Sequence, residues 1–318
     1  MKEKIRLIIR QLLLSLSMIV GVVGFYHMTA DASDMKVHFI DVGQGLAILV
    51  QTEDENLLYD GGDKEGVEDL IEYLKTHDVK TINYMISSHY HPDHITGLIE
   101  CLKEFDVEKV LASNYKPYTN EYYRFMEEVT SKGLTVEYPK VGDEIMLGDV
   151  QIQIIGPATI DSEKENNNSL ALKIVNGGNV FIFPGDAEVL EEEAMYVSGR
   201  NLKCDVLAIS HHGSDTSTTD DFLECTAPKS VVISCGENNQ YGHPRSKTME
   251  KLKTLNIDMY RTDKQKTIIA TSDGTQITWN KPPCQDYSAG VKPDKREKET
   301  SSEVVTEEQS EKLSEDNQ

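Results

Sequence analysis

The sequence predicts a layered α/β fold in which two β-sheets are sandwiched between helices. Three observations predict it. Helical stretches alternate with short apolar strands. Candidate ligand residues fall where those strands stop, as expected of a layered protein whose chemistry sits at one edge. Each half of the chain opens with strands and closes with helices, so both sheets would be buried on both faces.

Residues 37–40 read as a strand that is broken by Asp41-Val42-Gly43-Gln44-Gly45. Extended segments return at 46–51 and 57–59, and Asp60-Gly61-Gly62 closes an antiparallel meander with tight glycine turns. Residues 66–76 carry Val67, Leu70, Ile71 and Leu74 at helical spacing. An apolar strand at 82–86 runs into His89-Tyr90-His91-Pro92-Asp93-His94, and a helix at 95–105 places Leu98, Ile99, Leu102 and Phe105 on one side. A helix at 121–132 precedes strands at 136–138, 144–147 and 150–155. Residues 169–175 and 180–183 form a hairpin over Asn176-Gly177-Gly178-Asn179 that ends at Gly185-Asp186. After a helix at 189–198, a strand at 206–209 stops at Ser210-His211-His212-Gly213-Ser214. A strand at 230–234, a helix at 246–255 and a closing hairpin of 268–271 with 276–279 complete the fold.

The flanks read differently. Lys2, Lys4, Arg6 and Arg10 precede an uncharged, largely apolar stretch from 11 to 30. Twenty helical residues span roughly 30 Å, about the hydrocarbon thickness of a bilayer. Residues 1–34 are therefore expected to be a membrane anchor, or a signal peptide cleaved near Ala30-Asp31-Ala32, followed by a short linker. Both readings place the folded part, residues 35–283, outside the cytoplasm. Residues 284–318 are expected to be a disordered acidic tail. Cys101, Cys204, Cys225, Cys235 and Cys284 are odd in number and widely spaced, with no CxxC pair, so they read as small buried hydrophobes, though a disulfide stays open outside the cell. The 318 residues carry a net charge of −22, so a broad basic face for nucleic acid is not written in the composition, while a local basic patch stays open.

The run from His89 to His94 holds three imidazoles and one carboxylate in six residues, in a chain with only 9 histidines. These are ligands for zinc, manganese or iron. His89 and His91 are placed to reach one ion, and Asp93 and His94 a second. Two ions about 3.5–4 Å apart can bind a bridging hydroxide and phosphate oxygens together. Asp186 is the candidate for a shared carboxylate, and His211 or His212 for one further ligand. Asp41 either accepts a hydrogen bond from a ligand histidine or makes a simple Asx turn. Asp93 and His243 are the candidates for catalysis; His243 could protonate a leaving group. His212, Ser214, Arg245 and Lys247 are candidates to support the site or bind substrate. Tyr115, Tyr118, Tyr122 and Tyr123 cluster either as a half-buried patch or as a stacking surface. No phosphate loop is present, so no nucleotide cofactor is expected, and no Gly-x-Ser-x-Gly elbow supports a serine hydrolase.

The run His89-Tyr90-His91-Pro92-Asp93-His94 resembles the central H-x-H-x-D-H motif of the metallo-β-lactamase superfamily. Asp41, Asp186 and His211 match its early aspartate, bridging aspartate and late histidine. Asp41-Val42-Gly43-Gln44-Gly45, Asn167-Asn168-Ser169-Leu170, His211-His212-Gly213-Ser214 and Tyr241-Gly242-His243-Pro244 further resemble the extracytoplasmic hydrolase domain of the ComEC/Rec2 DNA-uptake family. The resemblance implies a four-layer αββα sandwich and two divalent ions, zinc or manganese. His89, His91 and Asp186 would hold the first; Asp93, His94, Asp186 and His211 the second. It also implies a metal-dependent phosphodiesterase or DNase in which the bridging water attacks phosphorus. Many members have another histidine before the bridging aspartate. None occurs from 95 to 185 here, and Asn168 stands near that place, which implies a weaker first ion, or an amide or water as its ligand. ComEC proteins carry a multi-helix channel that this chain lacks, so the resemblance leaves three roles open: a free-standing nuclease, the partner of a separate channel protein, or a hydrolase that has left DNA. The other readings are a hydrolase of a cell-wall phosphodiester or β-lactam, and a metal-stabilised binding module without turnover.

Overall fold

The computed structural model describes residues 34–293. Fifteen strands lie in this span: β1 (Met35–Phe39), β2 (Ile48–Gln51), β3 (Asn56–Tyr59), β4 (Thr81–Ser87), β5 (Asp106–Ala112), β6 (Val136–Glu137), β7 (Glu144–Leu147), β8 (Val150–Ile154), β9 (Leu172–Asn176), β10 (Asn179–Phe183), β11 (Val206–Ala208), β12 (Ser230–Ile233), β13 (Asp258–Arg261), β14 (Ile268–Ser272) and β15 (Ile277–Trp279). They form an 8-stranded sheet, β15-β14-β1-β2-β3-β4-β5-β6, and a 7-stranded sheet, β13-β12-β11-β10-β9-β8-β7. Each sheet joins an antiparallel meander to a parallel half: β3, β4, β5 and β6 in one, β10, β11, β12 and β13 in the other.

Side-chain parity explains the layering. Val37 and Phe39 of β1, and Ile48 and Val50 of β2, point into the space between the sheets, where they meet Ile174, Phe181, Phe183 and Val206. Leu49 points to the other face, as does Ile40 just past β1. They pack with Leu70 and Leu74 of the helix Val67–Thr76, with Leu98 and Leu102 of the helix Pro92–Glu104, and with Phe125 of the helix Asn120–Ser131. The second sheet is covered in the same way by Met195, Phe222 and Leu252, from the helices Val189–Val197, Asp220–Thr226 and Ser246–Leu255. The result is the αββα sandwich. Between the sheets the rings of Phe39 and Phe183 meet edge to face at 6.0 Å, and the Tyr59 hydroxyl donates to Leu170 O at 3.0 Å.

Several boundaries differ from expectation. The helix after the histidine run begins at Pro92, not at residue 95, because proline is favoured at the first helical position and Asp93 complements the helix dipole. β5, β13 and the helix Asp220–Thr226 were not foreseen. Residues 284–293 are not a free tail: Cys284 N–H donates to Met259 O at 2.7 Å and Gly290 N–H to Pro244 O at 2.7 Å. Residues 294–318, and the anchor or signal segment expected at 1–33, lie outside the described residues. No helix among the described residues is long and apolar enough to cross a membrane. All five cysteines are free, and four of them are buried.

Glu191 shows how the outer layer depends on pH. Its side chain is buried in the helix Val189–Val197 and accepts from Ala158 N at 2.8 Å. Burial pushes its carboxyl up to about 7, against the backbone hydrogen bond that favours ionisation. The folded state therefore binds this proton more tightly than the unfolded chain, and the stability it contributes is lost as pH rises through 7. Glu191→Gln, which mimics the neutral acid, is expected to raise stability at pH 8 by at most about 3 kcal/mol, seen as a higher Tm, and by less towards pH 5. A Tm difference independent of pH would refute this.

Candidate metal centre

The site is assembled at the C-terminal ends of parallel strands from both sheets, where an open α/β sheet leaves a crevice. β3 is followed by Asp60, β4 by His89 to His94, β10 by Asp186, β11 by His211 and His212, and β12 by Ser234. The histidine run bends from extended chain into the first turn of the helix Pro92–Glu104, which turns His94 inward to full burial. The Gly43-Gln44-Gly45 loop presses against this turn. Leu46 N–H donates to Asp93 O at 3.2 Å, and a Cβ at Gly45, where φ is +134°, would stand 2.5 Å from that same oxygen.

Asp186 is the hub. Its Oδ2 lies 3.3 Å from His94 Nε2, 3.6 Å from His211 Nε2 and 3.9 Å from His89 Nε2, and its Oδ1 lies 3.5 Å from His212 Nε2. His212 Nε2 is also 3.4 Å from Asp93 Oδ2. Two donor groups result, His89 with His94 and Asp186, and Asp93 with His94 and His212, the ligand atoms of each group lying within 4.8 Å of one another.

Hydrogen bonds on the far side of the rings fix how they face. His94 Nδ1 donates to Asp60 Oδ2 at 2.8 Å, and His212 Nδ1 donates to Ser234 O at 2.9 Å. Both Nε2 atoms therefore present lone pairs, and they meet at 3.3 Å, an arrangement that calls for a cation or a proton between them. His89 Nε2 and Asp186 Oδ1 are buried without a hydrogen-bond partner. Asp60, Asp93 and Asp186 bring three carboxylates into a region with no lysine or arginine ion pair of its own among the described residues. The donor set thus fits divalent cations.

Ionisation follows the same logic. Burial opposes charge on His94, but Asp186, Asp60 and Asp93 outweigh it and hold its pKa well above the usual imidazole range. Burial also opposes ionisation of Asp186 and Asp93; the neighbouring histidines, His94 foremost, overcome it and hold both carboxyls low. His89 is pushed well down by burial and then by His94. Burial raises the Asp60 carboxyl, while His94 pulls it back. His243 is lowered to about 3 by burial and then by His212, His211 and Arg245, so it stands as a neutral imidazole.

The other expected residues divide. His91 lines the cavity with its Nε2 3.7 Å from Glu165 Oε2, its ring 4.5 Å from that of His89, outside both tight donor groups. His211, the late ligand by resemblance, also stands outside them, with Nδ1 3.5 Å from Glu188 Oε1; His212, the alternative ligand and otherwise expected to support or bind substrate, is inside. A left-handed turn at both residues, φ 50° and 55°, decides this by burying the second ring and leaving the first at the rim. Asp41 touches no ligand histidine: it accepts from Gly43 N and pairs with Lys266 at 3.2 Å, the Asx-turn alternative. Asn168 is stapled to Asp161 by two hydrogen bonds of 2.8 Å, so Asn166, not Asn168, is the amide that lines the cavity. The Ser214 hydroxyl is engaged by Thr216, and Lys247 lines a separate groove with Asp220 and Lys251. His243 is in place, its ring stacked 5.5 Å from that of Tyr241. The cavity, of about 240 Å³, is walled by Gln44, His91, Asp93, Asn166, Asp186 and the late histidines.

A family model for the metallo-β-lactamase superfamily matches residues 40–237. The chain belongs to the metallo-β-lactamase superfamily. It is similar to ComE operon protein 3 of Bacillus subtilis, at 30% identity over 255 residues covering 74% of this chain and 33% of that protein. Recombination protein 2 of Haemophilus influenzae is 29% identical over 224 residues, 68% of this chain and 26% of that one. The chain thus spans about a third or less of the length of these relatives. Among solved structures, the metallo-β-lactamase fold protein YhfI from Bacillus subtilis superposes with a TM-score of 0.50 at 13% identity, covering 78% of this chain and 100% of that one, which supports the fold. Superfamily membership makes the protein a hydrolase of the metal-dependent class.

Asp60 was not anticipated from the sequence. It sits at φ 58°, accepts from Ser88 N at 2.7 Å on one oxygen and from His94 on the other. Asp60→Asn keeps a side chain that tolerates this backbone but removes the charge that orients His94. Divalent-metal affinity is expected to fall about 10–100-fold, in the range for lost outer partners of ligand histidines. Competition against a chromogenic chelator measures it, and a change below about threefold would refute the role.

Proposed function

We propose that the protein is an extracytoplasmic phosphodiesterase that cleaves DNA. The carrying observation is the buried Asp186 carboxylate set among His89, His94, His211 and His212, with Asp93 beside them, opening onto a cavity lined by hydrogen-bonding side chains. Two divalent cations in such a site, zinc or manganese, supply an activated water and neutralise phosphoryl oxygens. The chain's own residues do the rest. Asp60 and Ser234 orient the imidazoles, and Asp93 and Asp186 bring negative charge to the ions. Gln44 Nε2 and His243 Nδ1 are buried atoms without hydrogen-bond partners in the cavity wall, suited to an oxygen-rich substrate. As a neutral imidazole, His243 would hydrogen-bond the substrate and not carry charge to it.

The name of one relative, Recombination protein 2, favours DNA over a lactam. With a net charge of −22, contacts to DNA would be short and centred on the site, and binding would be sequence-blind. The membrane-anchored or secreted state, and a separate channel protein as partner, are part of the same proposal. The test is a substrate panel on the purified chain with manganese or zinc: plasmid, single-stranded DNA, bis(4-nitrophenyl) phosphate and nitrocefin. DNA cleavage abolished by chelation is the expected result. Turnover of nitrocefin alone would replace this reading with a lactamase, and metal content without turnover would leave a binding module.

A further inference from the structure

The chain does not leave the domain at its last strand. Arg261, fully buried at the end of β13, binds Asp263 through Nε and Nη2 at 3.0 and 2.7 Å. Its Nη1 donates to the carbonyls of Asp286 and Ser288 at 2.8 and 2.7 Å. A fully buried guanidinium is costly unless its donors are satisfied, and here backbone carbonyls of the C-terminal segment satisfy them. Two residues on, Gly290 N–H donates to Pro244 O, and a Cβ at Gly290 would collide with the carbonyl group of His243. The segment therefore lies directly on the backbone that carries His243.

Its course then runs over the turn between two residues of the cavity wall. Lys292 lies over Gly242, whose neighbours Tyr241 and His243 both line that cavity. A Cβ placed on Gly242 would be 3.0 Å from Lys292 Cγ and 3.4 Å from its Cε. The ammonium, one bond beyond Cε, is thus within about 5 Å of that point. Arg245 Nη1 is 3.6 Å from the same point, and Arg245 Nε is buried without a partner. Two cations thus flank one turn at the rim of a site that is otherwise carboxylate-rich.

We infer that residues 284–292 form a strap that delivers Lys292 to the rim, where it joins Arg245 in binding the phosphate next to the one being cleaved. This inference rests on the phosphodiesterase reading and adds its substrate class, a polyanion longer than one diester. Arg261 and Gly290 are positioning residues; Lys292 touches the substrate.

The experiment compares full-length wild type, Lys292→Ala and Lys292→Arg on a short single-stranded oligonucleotide and on bis(4-nitrophenyl) phosphate, which has no neighbouring phosphate. Lys292 is exposed, so its replacement should leave the fold intact. Lys292→Ala should raise KM for the oligonucleotide about fivefold at unchanged kcat and reduce the salt slope of binding by about one, with no change on the small diester. Lys292→Arg should restore the oligonucleotide KM. Equal KM and salt slope in wild type and Lys292→Ala would overturn the inference while leaving the phosphodiesterase reading intact, and so would equal losses on both substrates. Wild-type protein inert on both substrates would sink that reading and this inference with it.

Discussion

Asp186→Ala is expected to lower metal content by at least one ion per chain and turnover by about a thousandfold or more. Among the described residues, Asp186 is the one carboxylate within 4 Å of four imidazoles, those of His89, His94, His211 and His212. It is also buried, so solvent screens its charge only weakly. Removing one partner from a buried set of charges costs about 3–5 kcal/mol, which is a loss of roughly 200- to 5,000-fold in affinity for the ion. The metal dependence of the stability loss separates this reading from simple misfolding. Without metal, the neighbouring histidines, His94 foremost, already compensate the Asp186 carboxylate, so deleting it costs stability even then. The Tm deficit of the variant should therefore be larger with excess zinc or manganese than under chelation, whereas misfolding would lower Tm equally in both. Wild-type metal content in the purified variant would remove Asp186 from the centre.

Glu192→Ala is expected to lower Tm by on the order of 10 °C. Glu192 is fully buried in the helix Val189–Val197. Its carboxyl accepts from Thr218 N, Thr219 N at 2.8 Å and Ser210 Oγ at 3.0 Å. Burial raises its carboxyl, and these donors pull it back. Truncation leaves two backbone N–H groups and one hydroxyl without their acceptor, at about 1–3 kcal/mol each for those that water cannot reach. A domain of this size loses about 2–4 °C per kcal/mol. The bond to Ser210 makes the effect more than structural, because the next two residues are His211 and His212. Metal affinity should fall together with Tm, although Glu192 touches no ion. A Tm within 2 °C of wild type would show that the loop is held by other means.

The contrast between these residues shows what a sequence can carry. The run from His89 to His94 is legible because its ligands are contiguous and follow an apolar strand. Asp186 is legible because a hairpin ends there in Gly-Asp. Asp60 is not, because Asp60-Gly61-Gly62 reads as a turn; its role appears only when parallel pairing of β3 with β4 sets the residue after Tyr59 beside Ser88. His211 and His212 could not be told apart in the sequence, since adjacent residues differ only in which ring a left-handed turn sends inward. Asn166 and Asn168 pose the same difficulty within a short 3₁₀ turn. β5 escaped notice because its first half, Asp106 to Lys109, is charged and largely exposed, and only Val110 to Ala112 are buried. Glu192 stands in a run of three acids, Glu191 to Glu193, and only the fold buries it.

Each sheet supplies only part of the donor set: His89, Asp93 and His94 come from one leaf, Asp186 and His212 from the other. Any ion held there fastens the two leaves together, so cation supply and mechanical integrity are the same variable. At a free concentration a hundred times the dissociation constant, one such rivet adds about 2.7 kcal/mol to the folded state. Depletion of divalent cations would thereby disarm the molecule and loosen it at once.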